Sequence, residues 1–247
     1  MKFSYSAVWA DVMGLLRAHA SLIATVAGVF IFLPGLLVAH FLPQPQTEDM
    51  ARIGELWIEY LDANWPWMLL NSLANMVGAI AILRLIFVRG ITVGGAIAGA
   101  ASLLLIAYFL TSLLSSLAIA LGFVLLIVPG LYLIGRLGPA TVVVVAEERL
   151  NPIDAIARCF ALTKGHGWAV LGLILIVAVA AAIVIAVATT LLGILFVLVA
   201  GQELGATLVL IVKTAGNAAL VTLILLLNAA IYRQLSGRES AASAAAD

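Results

Sequence analysis

The chain has 247 residues, of which 65% are hydrophobic and only 10% charged, and its mean hydropathy is +1.23. A soluble domain of this length needs far more polar residues to cover its surface, so the soluble classes are excluded and an all-α polytopic membrane protein is expected. Twelve Lys and Arg balance twelve Asp and Glu, so the net charge is zero, and no nucleic-acid partner is expected. The one cysteine, Cys159, excludes an internal disulfide, and three histidines offer no metal-ligand spacing, so neither metal nor cofactor is expected.

A bilayer core of about 30 Å takes about 20 apolar helical residues per crossing. The first apolar run starts near residue 20, has the length of a crossing and lacks a small-x-small cleavage site. It reads as a retained span, about 21–42. The acidic stretch "TEDMARIGELWIEYLDANW" follows, with Thr47 as cap and Ile53, Trp57, Tyr60 and Leu61 as an apolar stripe, which predicts an interfacial helix. Trp57, Tyr60, Trp65 and Trp67 form an aromatic belt leading into span two, about 65–87. The run 101–146 is twice too long for one crossing and divides into spans 101–121 and 124–146 around a tight uncharged turn.

Then comes the polar island "ERLNPIDAIARCFALTKGHGW". Asn151 is a helix N-cap with Pro152 at the first helical position, and Lys164 with Gly165 closes the helix. Ile153, Ile156, Ala157 and Phe160 share one face, predicted to lie in the headgroup plane, while Asp154 and Arg158 pair on the other. Spans five and six follow at about 168–192 and 204–231. Residues 1–234 thus make one membrane domain, and the tail 235–247 is predicted to be disordered.

With the N-terminus inside, six spans gather Lys2, Arg17, Arg84, Arg89, Arg149, Arg158, Lys164, Arg233 and Arg238 on the cytoplasmic side and leave Arg52 outside. Short cytoplasmic loops concentrate Lys and Arg, which places both termini in the cytoplasm. A weak repeat accompanies this layout. "FLPGLLVA" and "IVPGLYLI" each precede an interfacial helix and a tryptophan-led span, about 95 to 105 residues apart. Three spans per half would give the 3+3 inverted repeat of secondary transporters. Pro34, Pro129 and Pro139 are expected to kink their spans.

Ionisable groups at membrane depth are functional candidates, because burying them is costly. Arg136 in span four and Lys213 in span six have no acid at matching depth. Asn75 beside Asn71, Ser112 between Tyr108 and Ser115, and Asn217 beside Lys213 supply neutral donors. Together these predict a pocket for an anion, with a lipid phosphate the obvious one. The structural alternative is that Lys213 snorkels and Arg136 bonds carbonyls freed by the Pro129 and Pro139 kinks.

The segment from Leu125 to Leu173 resembles the YciC-like bacterial inner-membrane family, related to the membrane domain of glycerophosphoryl diester phosphodiesterases. The resemblance rests on Val128-Pro129-Gly130, on Pro139-Ala140 before a valine-rich stretch, on Glu148-x-x-x-Pro152-x-x-Ala155, and on Leu162-Thr163-Lys164-Gly165. It implies a multi-span protein of the bacterial inner membrane. In those phosphodiesterases catalysis belongs to a separate soluble barrel, which has no counterpart here, so no hydrolase activity follows. Nothing in the chain groups a nucleophile with a base, so a non-enzymatic role is expected: binding or handling anionic lipid, or supporting envelope organisation. Its partners would be membrane lipids, a membrane protein or a second copy. A small secondary transporter is the alternative.

Overall fold

The computed structural model of the protein describes residues 3–243 apart from residues 44, 46–48, 50 and 51. Among the described residues the elements are all helical. α1 (Tyr5–Ala27) passes through a π-helical turn (Gly28–Phe32) into α2 (Leu33–Phe41). There follow α3 (Ile53–Phe87), α4 (Val93–Ala100), α5 (Leu103–Leu125), α6 (Ile127–Leu137), α7 (Ala140–Ala146), α8 (Pro152–Leu162) and α9 (Gly167–Ser243). Among the described residues five helical stretches are long and apolar enough to cross a membrane: Tyr5–Phe41, Ile53–Phe87, Leu103–Leu125, Ile127–Ala146 and Gly167–Gly237.

The last of these has 71 residues and would measure about 106 Å as a straight rod, more than three bilayer cores. Gly201 breaks it, with φ 78 and ψ 177, a conformation open to glycine. A Cβ on Gly205 would lie 2.8 Å from Val197 Cα, one on Gly193 would lie 3.3 Å from a Val209 methyl, and one on Gly216 would lie 2.7 Å from an Ile185 methyl. All three pairs are centred within one residue of position 201, which is the register of a helical hairpin. Glycine at each contact lets the two arms approach closely.

Both ends of α9 therefore return to one end of the bundle, the end that carries α8. The chain's first helix starts there too. Gln234 Nε2 donates to Ser4 O at 3.2 Å, Arg233 pairs with Asp11 at 3.1 Å, and Phe3 packs on His166. The core is concentrated at this end, where Val8, Val12, Ile80, Leu83, Val143, Leu227 and Ile231 are fully buried. Towards Gly201 the helices present exposed leucine and valine, as a lipid-facing surface does.

Several expectations need correction. α3 is one helix of 35 residues, not an interfacial helix followed by a span from Trp65. Pro66 removes only the N–H that would reach the Asp62 carbonyl, and the flanking Trp65 and Trp67 are exposed, so that carbonyl opens outward at little cost. Thr47, the expected cap, lies outside the described residues. Pro34 does not break its helix: the π-helical turn widens the backbone ahead of it, with Leu33 N–H donating to Gly28 O. Pro129 sits in the first turn of α6, where a missing N–H costs nothing, so it starts a helix instead of kinking one. Only Pro139 divides its span, between α6 and α7. Helix also continues through residues 235–243, where disorder was expected; residues 244–247 of that tail lie outside the described residues.

The turn dividing 101–146 falls at Leu126, with φ −165 and ψ 151. Gly122 and Gly130 explain its tightness: a Cβ on Gly122 would meet Gly130 Cα at 2.9 Å, and one on Gly130 would meet the Phe123 ring at 2.5 Å. His19, with φ −130 and ψ 19, interrupts α1 close to the expected start of the first span.

Candidate functional site

α8 is built as its sequence predicts. Asn151 Oδ1 accepts from Ile153 N at 3.0 Å, Pro152 follows, and Gly165 at φ +76 ends the turn after Lys164. The face it packs on the bundle is not the bulkier stripe that was expected to lie in the headgroup plane. Ala155, Cys159 and Leu162 face the bundle and are buried, while Ile153 is 67% exposed. The docking face is therefore the one with small side chains, which permits close contact, and not the bulkier stripe. Arg158 turns inward, its Nε donating to Glu147 Oε1 at 3.1 Å.

Arg136 is the centre of this docking. Its Nη2 donates to Phe160 O at 2.6 Å, and Nη1 donates to Thr163 O at 3.3 Å and Tyr132 Oη at 3.5 Å. The guanidinium carbon lies 4.9 Å from the Phe160 ring centroid and 5.8 Å from that of Tyr132. In return, Cys159 Sγ donates to Arg136 O at 3.1 Å, and Thr163 Oγ1, which donates to Cys159 O at 2.8 Å within α8, lies 3.2 Å from the same Arg136 oxygen. Two helix C-termini thus cap each other: the Pro139 break leaves the end of α6 short of donors, and α8 supplies them. A cation at the negative ends of two helix dipoles is stabilised there. Gly167 makes room, since a Cβ on it would lie 2.8 Å from Arg136 Cδ.

A second cluster lies beside it. Glu147 Oε2 accepts from Arg149 Nε at 2.6 Å, and Oε1 accepts from Arg158 Nε at 3.1 Å and from Tyr232 Oη at 3.0 Å. Burial would raise this carboxyl, but hydrogen bonds from Arg149, Arg158 and Tyr232, with the charge of Arg158, outweigh burial and hold it below the usual carboxylate range. One side chain so ties the end of α7 to α8 and to the return arm of α9. Burial pushes the Cys159 thiol up to about 12 although Arg136 lowers it, so the thiol stays protonated and unreactive.

The predicted anion pocket is not assembled. Asn228, on the return arm of α9, lies level with Gly138, whose Cβ would fall 2.9 Å from Asn228 Oδ1. Lys213 precedes Asn228 by fifteen residues, which places it roughly 22 Å along the helix towards Gly201. Lys213 and Asn217 are exposed on that arm. Asn75 Nδ2 is turned to Asn71 O at 2.7 Å, and Ser112 is half-buried on α5; neither bonds to Arg136. Arg136 bonds carbonyls, as the structural alternative held, but they are those of α8 and not those freed by proline kinks. Among the described residues no three of His, Cys, Asp and Glu form a metal-binding group.

Sequence reasoning missed Arg84. It lies near the end of α3, pairs with Glu148 at 3.7 Å and rests on Gly99. Its signal was present in "VGGAIAGA", where Gly99 leaves room for the Arg84 guanidinium. No family model, curated protein or solved structure matches the chain.

Proposed function

We propose that the chain is a non-enzymatic, six-span protein of the bacterial inner membrane, with both termini cytoplasmic, that binds anionic lipid at the end carrying α8. The observation that carries this reading is the separation of charge. Arg84, Arg89, Arg149, Arg158, Lys164 and Arg233 gather at the α8 end, whereas Arg52 stands at the start of α3 at the other. Lys and Arg collect on the cytoplasmic side of membrane proteins. There the anionic leaflet attracts each one by about 1 kcal/mol. The reversal at Gly201 supports six crossings, because it turns the longest apolar stretch into two arms. The resemblance to the YciC-like family points to the same membrane and the same class.

A transporter built from an inverted repeat has less support. The first half joins its polar helix to its second span as the single helix α3, while the second half separates α8 from α9. The halves differ where the repeat requires likeness.

The test is native mass spectrometry of the full chain released from detergent after incubation with phosphatidylglycerol or phosphatidylcholine. Selective retention of phosphatidylglycerol is the expected result. Equal retention of both lipids would overturn the lipid reading.

A further inference from the structure

The cations at the α8 end are not equivalent. Arg136 is occupied by carbonyls, and Arg149 and Arg158 by Glu147. Arg84 is held differently. Its guanidinium lies on Gly99, where a Cβ would fall 2.5 Å from Cζ and 2.7 Å from Nε, so the glycine keeps its slot open. Among the described residues the buried Nε has no hydrogen-bond partner, and the charged group paired with Arg84 is Glu148, 3.7 Å from Nη1. At that distance, and with the Glu148 side chain 70% exposed, the pair contributes little.

Glu148 is itself unusual. It has φ 49, the left-handed region that favours glycine. Arg149 N–H donates to Val144 O at 3.1 Å, so Glu148 fills the position of the Schellman motif that glycine normally takes. Strained residues of this kind concentrate at functional sites. Between Glu148 and Arg84 lies a cavity of about 280 Å³, bounded also by Ser102, Leu103, Leu104 and Leu150. Ser102 caps α5: its Oγ accepts from Leu104 N at 3.3 Å and donates to Gly99 O at 2.6 Å. The positive end of a helix of 23 residues therefore opens onto the cavity beside the arginine. At its rim Leu103 and Leu150 are 66% and 52% exposed, an apolar margin beside a cationic floor.

We propose that this cavity binds the phosphodiester group of an anionic phospholipid. Arg84 supplies the charge, the first turn of α5 supplies partial positive charge, and Leu103 and Leu150 lie along the upper acyl chains. Glu148 is the counter-ion that the phosphate displaces. The site rests on the lipid reading above and gives it an address.

The test titrates the full chain with phosphatidylglycerol and phosphatidylcholine, followed by native mass spectrometry, for the wild type, Arg84→Gln, Glu148→Gln and Arg52→Gln. Inorganic phosphate is added as a competitor in a parallel series. Losing one charge-assisted contact is expected to weaken phosphatidylglycerol binding about tenfold in Arg84→Gln. Glu148→Gln is expected to strengthen it severalfold, and Arg52→Gln, at the opposite end of the molecule, to leave it unchanged. Wild-type preference for phosphatidylglycerol that persists in Arg84→Gln would overturn this site and leave the lipid reading standing. Absence of any wild-type preference would overturn the lipid reading itself. Should Arg84→Gln fail to fold, Glu148→Gln decides, and no gain in binding would overturn the site. Displacement of the lipid by equimolar inorganic phosphate would overturn the lipid as ligand and assign the site to soluble phosphate.

Discussion

Single polar residues help set α8 in place. Arg136→Leu removes charge-assisted bonds to Phe160 O and Thr163 O, each worth about 1.5 to 3 kcal/mol when buried. Thermal unfolding in detergent should shift down clearly, while lipid retention stays as in the wild type, because Arg136 already has its partners. Arg136→Lys should not restore stability, since one ammonium cannot serve two carbonyls and two rings as a planar fork does. Glu148→Gly should act in the opposite direction, raising stability by about 1 kcal/mol as the left-handed strain is relieved. A lowered or unchanged melting temperature would contradict the strained position. Glu147 adds a pH dependence whose sign follows from its lowered pKa. The carboxylate stabilises the fold fully above the ordinary carboxylate pKa, and this contribution is lost as pH falls below it. The stability difference between the wild type and Glu147→Gln should therefore be largest near neutral pH and shrink in acid. A difference that grows on acidification would contradict the three-partner node.

At the scale of elements, glycines set how closely the helices approach. Gly205→Ala would drive a Cβ into the Val197 backbone at 2.8 Å, which no rotamer change relieves. A loss of about 1 to 3 kcal/mol is expected, as in other overpacked sites, and unchanged stability would contradict the α9 hairpin. The sequence made some of this legible. The caps of α8 are local, since Asn151-Pro152 and Lys164-Gly165 act through neighbouring backbone, and both were readable. The polar interruption Gly201-Gln202-Glu203 marked the reversal within α9. The face that α8 docks was not readable, because periodicity weighs bulk and nominates Ile153 and Phe160, whereas close docking selects Ala155 and Cys159. The continuity of α3 was hidden by Pro66 and the tryptophans, which mimic a span boundary. The partnership of Arg136 with Phe160 and Thr163 spans 24 and 27 residues, and nothing in local spacing encodes it. The same holds for Arg84, whose neighbours Ser102 and Glu148 come from two other segments.

For the whole molecule, one end gathers most of the cations, is tightly packed and is closed by α8, and the other is looser and carries acidic groups such as Glu55, Glu59, Asp62 and Glu203. The end-to-end contrast links fold to proposed role. A dense core at the α8 end fixes the cations in place, and in the proposed orientation the polar groups there face the leaflet that carries anionic lipid. The single cysteine makes the orientation testable without further engineering of the background, because Cys159 is fully buried and its thiol is held protonated. The direct measurement is labelling of Gln202→Cys and Gly237→Cys by a membrane-impermeant maleimide in intact and permeabilised cells, beside the wild type. Labelling of position 202 in intact cells, of position 237 only after permeabilisation, and of neither in the wild type is the expected result. Labelling of position 237 in intact cells would place the cationic end outside and contradict both the orientation and the lipid-binding role built on it.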